Sequence, residues 1–384
     1  MVARQDAANT DARAALVRLY SAAGRWNNLV EMYRQELESL GGVRSADHKE
    51  RKLEILREMV AIYRDRMNQE PLVAQTYNSI LALEPGDRSA LVALAASYEK
   101  QGRFTDVVKT LDQQAEHTED PTEKVALLRR VAAIWLERFN NVNNATRPLE
   151  QILSIDPADA DAISQLKELY VKRRAWRPLF DVSRREADIL DGDKKRDAVV
   201  EMARLAAEKL SSPTEAIALW REALSIDART PGALDALEKL TEREKDFAGL
   251  AEVLERRVDE TSDPEHKVNV LMKLGAVYGE RLNDPARSID AWKRVLGAKP
   301  GHPKAMRVLR DAYTQSGQWD VLEELYAAAG DFEGLADVIG TAADRATEPE
   351  TRIALSFRAA RIYEGKLDQP ERAFRSYERV LSVD

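Results

Sequence analysis

Residues 90–111, ALVALAASYEKQGRFTDVVKTL, decide the fold. Leu91, Leu94, Ala95 and Tyr98 keep the three- and four-residue spacing of one helix face, Gly102 interrupts it, and Phe104, Val107 and Leu111 resume it. An apolar stripe, a glycine stop and a second stripe describe two amphipathic helices joined by a tight turn.

The same landmarks recur along the chain. Trp26, Phe104, Trp176, Phe247 and Trp319 lie 78, 72, 71 and 72 residues apart, each 14 residues after an alanine (Ala12, Ala90, Ala162, Ala233, Ala305). Tyr20, Tyr98, Tyr170 and Tyr313 hold the ninth place of four of the helices those alanines open, and Thr241 holds it in the remaining one. In the other half of each unit Leu81, Leu153, Leu224, Leu296 and Leu381 recur, with Pro85, Pro157 and Pro300 four residues on and Ala228 in place of one proline. Self-similarity at a fixed period of this size marks stacked helical repeats, and no stretch is left over for β-structure. The expectation is an all-α chain of five units, about 12–89, 90–161, 162–232, 233–304 and 305–384, forming one continuous solenoid over 1–384.

Each unit reads as two helix pairs. In the fourth, Leu234, Leu237 and Leu240 start one helix, Phe247, Leu250 and Leu254 a second, Leu271, Leu274 and Tyr278 a third, and Ile289, Trp292 and Leu296 a fourth. Ser262-Asp263-Pro264 and Asn283-Asp284-Pro285 are helix starts, with proline set for the first turn. A pair of about 36 residues cannot bury its apolar surface alone, so pairs stack on their neighbours. Two stretches break the period: about six extra residues around Gly41-Gly42-Val43-Arg44, and 330–335, which resembles a second copy of the Trp319 helix 13 residues on. Twenty-one helices are implied.

Composition narrows the function classes. A net charge of -8 with 32% charged residues of both signs describes a solvated helical surface that repels a phosphate backbone, so DNA is excluded as a general ligand. With 0 cysteines there is no thiolate nucleophile or cysteine-based zinc site. His48, His117, His266 and His302 stand singly, and no glycine-rich phosphate loop, serine elbow or paired-histidine motif occurs. No enzyme activity and no cofactor are expected. No apolar run reaches the roughly 18–20 residues needed to span a bilayer, and the first residues lack a signal peptide's apolar stretch. A cytoplasmic location without membrane insertion is expected. The six tryptophans fall in repeat columns and read as packing residues; Asn144-Ala145-Thr146 is a chance sequon.

On Leu91, Leu94, Ala95, Tyr98, Gly102, Phe104, Val107 and Leu111 the chain resembles the tetratricopeptide repeat family, and the likeness runs over nearly its whole length. It implies a right-handed α–α superhelix whose groove, lined by the first helix of each pair, binds peptides or helices of partner proteins. The family's small first-helix residue is kept in second pairs (Val60, Ala132, Ala203, Gly275, Ala360) but is Val17, Ala95, Lys167, Glu238 and Arg310 in first pairs, which implies a different packing angle there. Second pairs carry one extra turn residue, with an always basic column (Arg66, Arg138, Lys209, Arg281, Lys366) before an always apolar one; a basic group near a helix C-terminus favours the macrodipole.

Carried over residue by residue, the family's groove positions give Arg57, Arg64, Arg129, Arg204 and Arg361, mixed with Ala61, Ala133, Met272, Ala276 and Gly279. This basic stripe is expected to dock an acidic or phosphorylated segment, because guanidinium groups fork onto carboxylates and phosphates. Chaperone tails are not expected, since the asparagines of that clamp are absent. The leading expectation is a non-enzymatic scaffold or adaptor in a larger bacterial assembly, Arg outnumbering Lys 40 to 18. The alternatives are a helical-repeat reader of single-stranded RNA, which the alanines and glycine among the arginines disfavour, and the regulatory solenoid of a larger enzyme. The break at Asp384, before the place of the repeat's proline, gives the expectation of a longer array or of end-to-end self-association.

Overall fold

The computed structural model describes residues 10–41 and 46–382. Most of the expected insertion around Gly42-Val43-Arg44 therefore lies outside the described residues. Twenty-one α-helices and no strand occur among them, and they fall into two compact units divided between Leu210 and Ser211.

The first unit holds α1 (Thr10–Ala22), α2 (Trp26–Ser39), α3 (Ala46–Asp65), α4 (Glu70–Leu83), α5 (Arg88–Lys100), α6 (Phe104–His117), α7 (Pro121–Glu137), α8 (Val142–Ile155), α9 (Ala160–Arg173), α10 (Trp176–Ile189) and α11 (Gly192–Glu208). The second holds α12 (Pro213–Ile226), α13 (Ala233–Arg243), α14 (Phe247–Glu260), α15 (Pro264–Ala276), α16 (Pro285–Ala298), α17 (Pro303–Ser316), α18 (Trp319–Ala329), α19 (Phe332–Arg345), α20 (Pro349–Gly365) and α21 (Pro370–Leu381). Within each unit the close backbone packing runs between helices adjacent in the chain, the pattern of a solenoid.

The repeat columns are the core. Ala90, Ala162, Ala233 and Ala305 are all buried, as are Leu94, Leu166, Leu237 and Leu309 one helical turn on. Full burial of one such leucine is worth roughly 1.5–3 kcal/mol, so a unit's stability is the sum of many small steps. Thr241, the exception to the tyrosine column, is fully buried and returns its hydroxyl proton to Leu237 O at 2.8 Å, which satisfies the polar group without a partner helix.

The extra residue in the second-pair turns has a definite geometry. Met67 N donates to Ile62 O at 3.0 Å, Leu210 N to Leu205 O at 3.1 Å, Leu282 N to Val277 O at 3.0 Å and Leu367 N to Ile362 O at 3.2 Å, a wider turn than the α-helical one. The next residue is left-handed every time: Asn68, Asn140, Ser211, Asn283 and Asp368 have φ of 55°, 48°, 52°, 51° and 49°. Short polar side chains tolerate this region best, and the column holds only Asn, Asp and Ser.

The always basic column lies over the aromatic landmarks. Arg66 stands 5.3 Å from the Trp26 ring centre, Arg138 4.8 Å from Phe104, Lys209 5.7 Å from Trp176 and Arg281 5.3 Å from Phe247. Arg138 and Lys209 also cap α7 and α11, so the expected dipole role is joined by a cation–π contact. In the last repeat Lys366 lies 5.6 Å from Phe332 and not over Trp319. The helix opened by Phe332 thus takes the role Trp319 would have had, as expected for a second copy.

Candidate partner-docking cleft

The six groove residues expected from the sequence lie on five helices, with no single site among them. Arg57 on α3 donates to Asp87 at 2.9 Å, Arg64 to its neighbour Asp65 at 2.7 Å, and Arg129 on α7 pairs with Asp159 and, at 3.3 Å, with Asp161. Met272 packs half-buried against the core of the second unit. Arg204 on α11 and Arg361 on α20 are exposed and have no ion pair among the described residues.

The acceptors of Arg57 and Arg129 were not anticipated, yet they are repeated structural parts. Asp87 caps α5 by accepting from Ala90 N at 2.9 Å, and Asp159 caps α9 by accepting from Ala162 N at 2.8 Å. An aspartate three residues before a landmark alanine was the signal that would have found them. Burial alone pushes the Asp87 carboxyl up, but hydrogen bonds from Ser89 and Ala90 and the guanidinium of Arg57 outweigh it and hold the pKa at about 2.

A second register explains where a cleft forms. In four of the five second pairs the residue two places before the small residue reaches the preceding helices. Arg130 pairs with Glu99 of α5, Lys273 with Glu238 and Glu242 of α13 at 2.8 and 2.9 Å, and Arg358 with Asp320 and Glu323 of α18 at 2.6 and 2.9 Å. Burial pushes the Lys273 ammonium down, but its two carboxylates more than compensate and keep its pKa above the usual lysine value. Glu58, in the same register, accepts from Tyr33 Oη.

Between α9 and α11 this closure is missing. The register residue is Glu201, and the position of Glu99 and Glu242, nine residues after the landmark alanine, is taken by Val171. Val171 is 51% exposed, and Glu201 has no hydrogen-bond or ion-pair partner among the described residues. A cleft of about 610 Å³ opens there, floored by Trp176, Leu179, Met202 and Leu205 and rimmed by charges of both signs, Arg204 and Glu201 among them. Lys167, in place of the small residue, is drawn across to Glu186 of α10 and stands at the cleft wall. Apolar floor and polar rim are the composition of a protein-binding surface.

Among the described residues no group of three or more His, Asp or Glu is placed to hold a metal ion. No described helix is long and apolar enough to cross a membrane.

A family model described as tetratricopeptide repeat matches residues 12–45 and 90–125, the stretches that open the first two of the five sequence repeats. Those two stretches match tetratricopeptide repeats. No curated protein matches it. Among solved structures, the chain is similar to PilF of Pseudomonas aeruginosa at 18% identity, covering 67% of this chain and 99% of that one, with a TM-score of 0.25. The tetratricopeptide domain of P58(IPK) is 15% identical, with 97% and 99% covered and a TM-score of 0.24. YrrB, described as a tetratricopeptide protein with an unusual peptide-binding site, is 15% identical, with 53% and 96% covered and a TM-score of 0.26. At such scores the superpositions carry no weight for a site or a partner.

Proposed function

We propose that this protein is a non-enzymatic scaffold that docks a peptide or helix of a partner protein in the cleft between α9, α10 and α11. The observation that carries the reading is the substitution of Val171 and Glu201 for the ion pair that closes the equivalent place in neighbouring repeats. An apolar side chain of the partner would fill the floor over Trp176 and Met202, where desolvated aromatic pockets concentrate binding energy. An acidic or phosphorylated residue of the same segment would pair with Arg204, since Arg57, Arg64 and Arg129 already hold carboxylates of the protein itself. A cytoplasmic role inside a larger bacterial assembly, on one continuous array, is part of the same proposal.

The test is affinity capture from lysate of the source organism on the immobilised wild-type chain and on Val171→Glu, each repeated after nuclease treatment. Val171 is exposed, so the variant keeps its fold. A discrete protein set that survives nuclease and is lost on Val171→Glu is expected. Identical sets on both proteins would overturn the cleft, and recovery that depends on RNA would favour the single-stranded RNA reader.

A further inference from the structure

Six aromatic residues open helices in the landmark register, counting Phe332, and five of them carry a basic side chain of the protein's own. Trp319 is the sixth. Its expected cation, Lys366, has moved to Phe332, and among the described residues no Lys or Arg stands over the Trp319 ring. The indole instead lines a cleft of about 640 Å³ between α17, α19 and α20, together with Val338, Ala342, Leu355, Asp311 and Asp337.

We propose that this second cleft docks a partner segment carrying a lysine or arginine beside apolar residues, the cation stacking on Trp319 as Arg66 stacks on Trp26. Complementarity chooses the occupant. The face of an indole is the negative side of its quadrupole and attracts a cation, more strongly where water is excluded. The methylene stem of a Lys or Arg lies along apolar surface while its head stays polar, which suits Val338 and Ala342 beside the ring. The exposed carboxylate of Asp337, which among the described residues accepts only from Tyr363 Oη at 3.1 Å, keeps lone pairs for a second contact with the incoming cation. Of the two arginines on the lining, Arg310 is held by Asp311 at 2.7 Å. Arg345 stands exposed at the rim, where it disfavours a segment with several adjacent basic residues and selects for a single one. The site is independent of the α9–α11 cleft, which lies wholly in the first unit.

The experiment selects a random twelve-residue peptide library on the immobilised full-length chain, in parallel with Trp319→Leu and Trp319→Phe. Peptides that require Trp319 are expected to share one Lys or Arg next to apolar residues. Replacing that residue by Gln should weaken the Kd about tenfold, as should Trp319→Leu, while Trp319→Phe, which keeps a ring face, stays within about threefold. Val171→Glu should leave these peptides bound, which separates this site from the first cleft. Selected peptides without a basic residue in common, equal binding to Trp319→Leu, or no peptide that depends on Trp319 would each overturn the proposal. Circular dichroism and melting of the variants check the fold; if Trp319→Leu does not fold, the Gln peptide against wild type still decides.

Discussion

Gly275 and Trp292 pack so closely that a Cβ built on residue 275 would lie 2.7 Å from the indole Nε1 and 2.8 Å from Cε2. Both residues are buried, Trp292 at 2% exposure, so the ring has no room to retreat.

The substitution Gly275→Ala is therefore expected to destabilise the chain by about 1–3 kcal/mol, the usual cost of overpacking. Helix propensity alone argues the other way, by about 1 kcal/mol in favour of alanine, and Ala132, Ala203 and Ala360 occupy the same column. Contact at under 3 Å with a fixed ring decides between them. Urea denaturation checks it, and a raised midpoint would show that the indole yields.

At Asp159 the cap and the ion pair separate by mutation. Replacement by Ala removes both, for an expected loss of about 1–2 kcal/mol, whereas Asn keeps a capping oxygen and should lose under about 1 kcal/mol. Equal urea midpoints for the two variants would mean that the cap contributes nothing.

Asp87 gives a pH signature. Its folded pKa of about 2 lies below the ordinary value of about 3.9, so the unfolded chain binds the proton more readily. The stabilisation is complete above about pH 4 and is lost as pH falls towards 2. Melting temperatures of wild type and Asp87→Asn should differ at pH 5 and converge near pH 2; a constant gap would remove Asp87 from the acid response.

The Arg138–Phe104 stack is accessible to a double-mutant cycle with Arg138→Gln and Phe104→Leu. A coupling of about 0.5–1 kcal/mol is expected for a partly exposed cation–π pair, and strictly additive losses would assign Arg138 to the helix terminus alone.

Helix existence, pairing and the core columns were legible because each rests on periodicity, and stacking adds the same signal in every repeat. The cation over each aromatic was only half legible: both columns stood out, but their meeting depends on how the second pair folds back on the first. The expected basic stripe from Arg57 to Arg361 treated arginines as free when three of them are spent on neighbouring carboxylates. Arg64 pairs with its neighbour Asp65, while the partners of Arg57 and Arg129 lie 30 residues on at Asp87 and Asp159, beyond the reach of helical spacing. The cleft at Val171 was illegible for the opposite reason, since a valine in a column that otherwise reads Ser21, Glu99, Glu242 and Thr314 looks like noise until the pairs made by Glu99 and Glu242 have been seen in space.

The close packing between consecutive helices, described above as the pattern of a solenoid, also governs how the chain comes into being. Every such contact closes a short loop, so no segment waits for a distant one to be made. A repeat can settle as soon as it and its predecessor have left the ribosome, and the array grows by accretion from its N-terminal end.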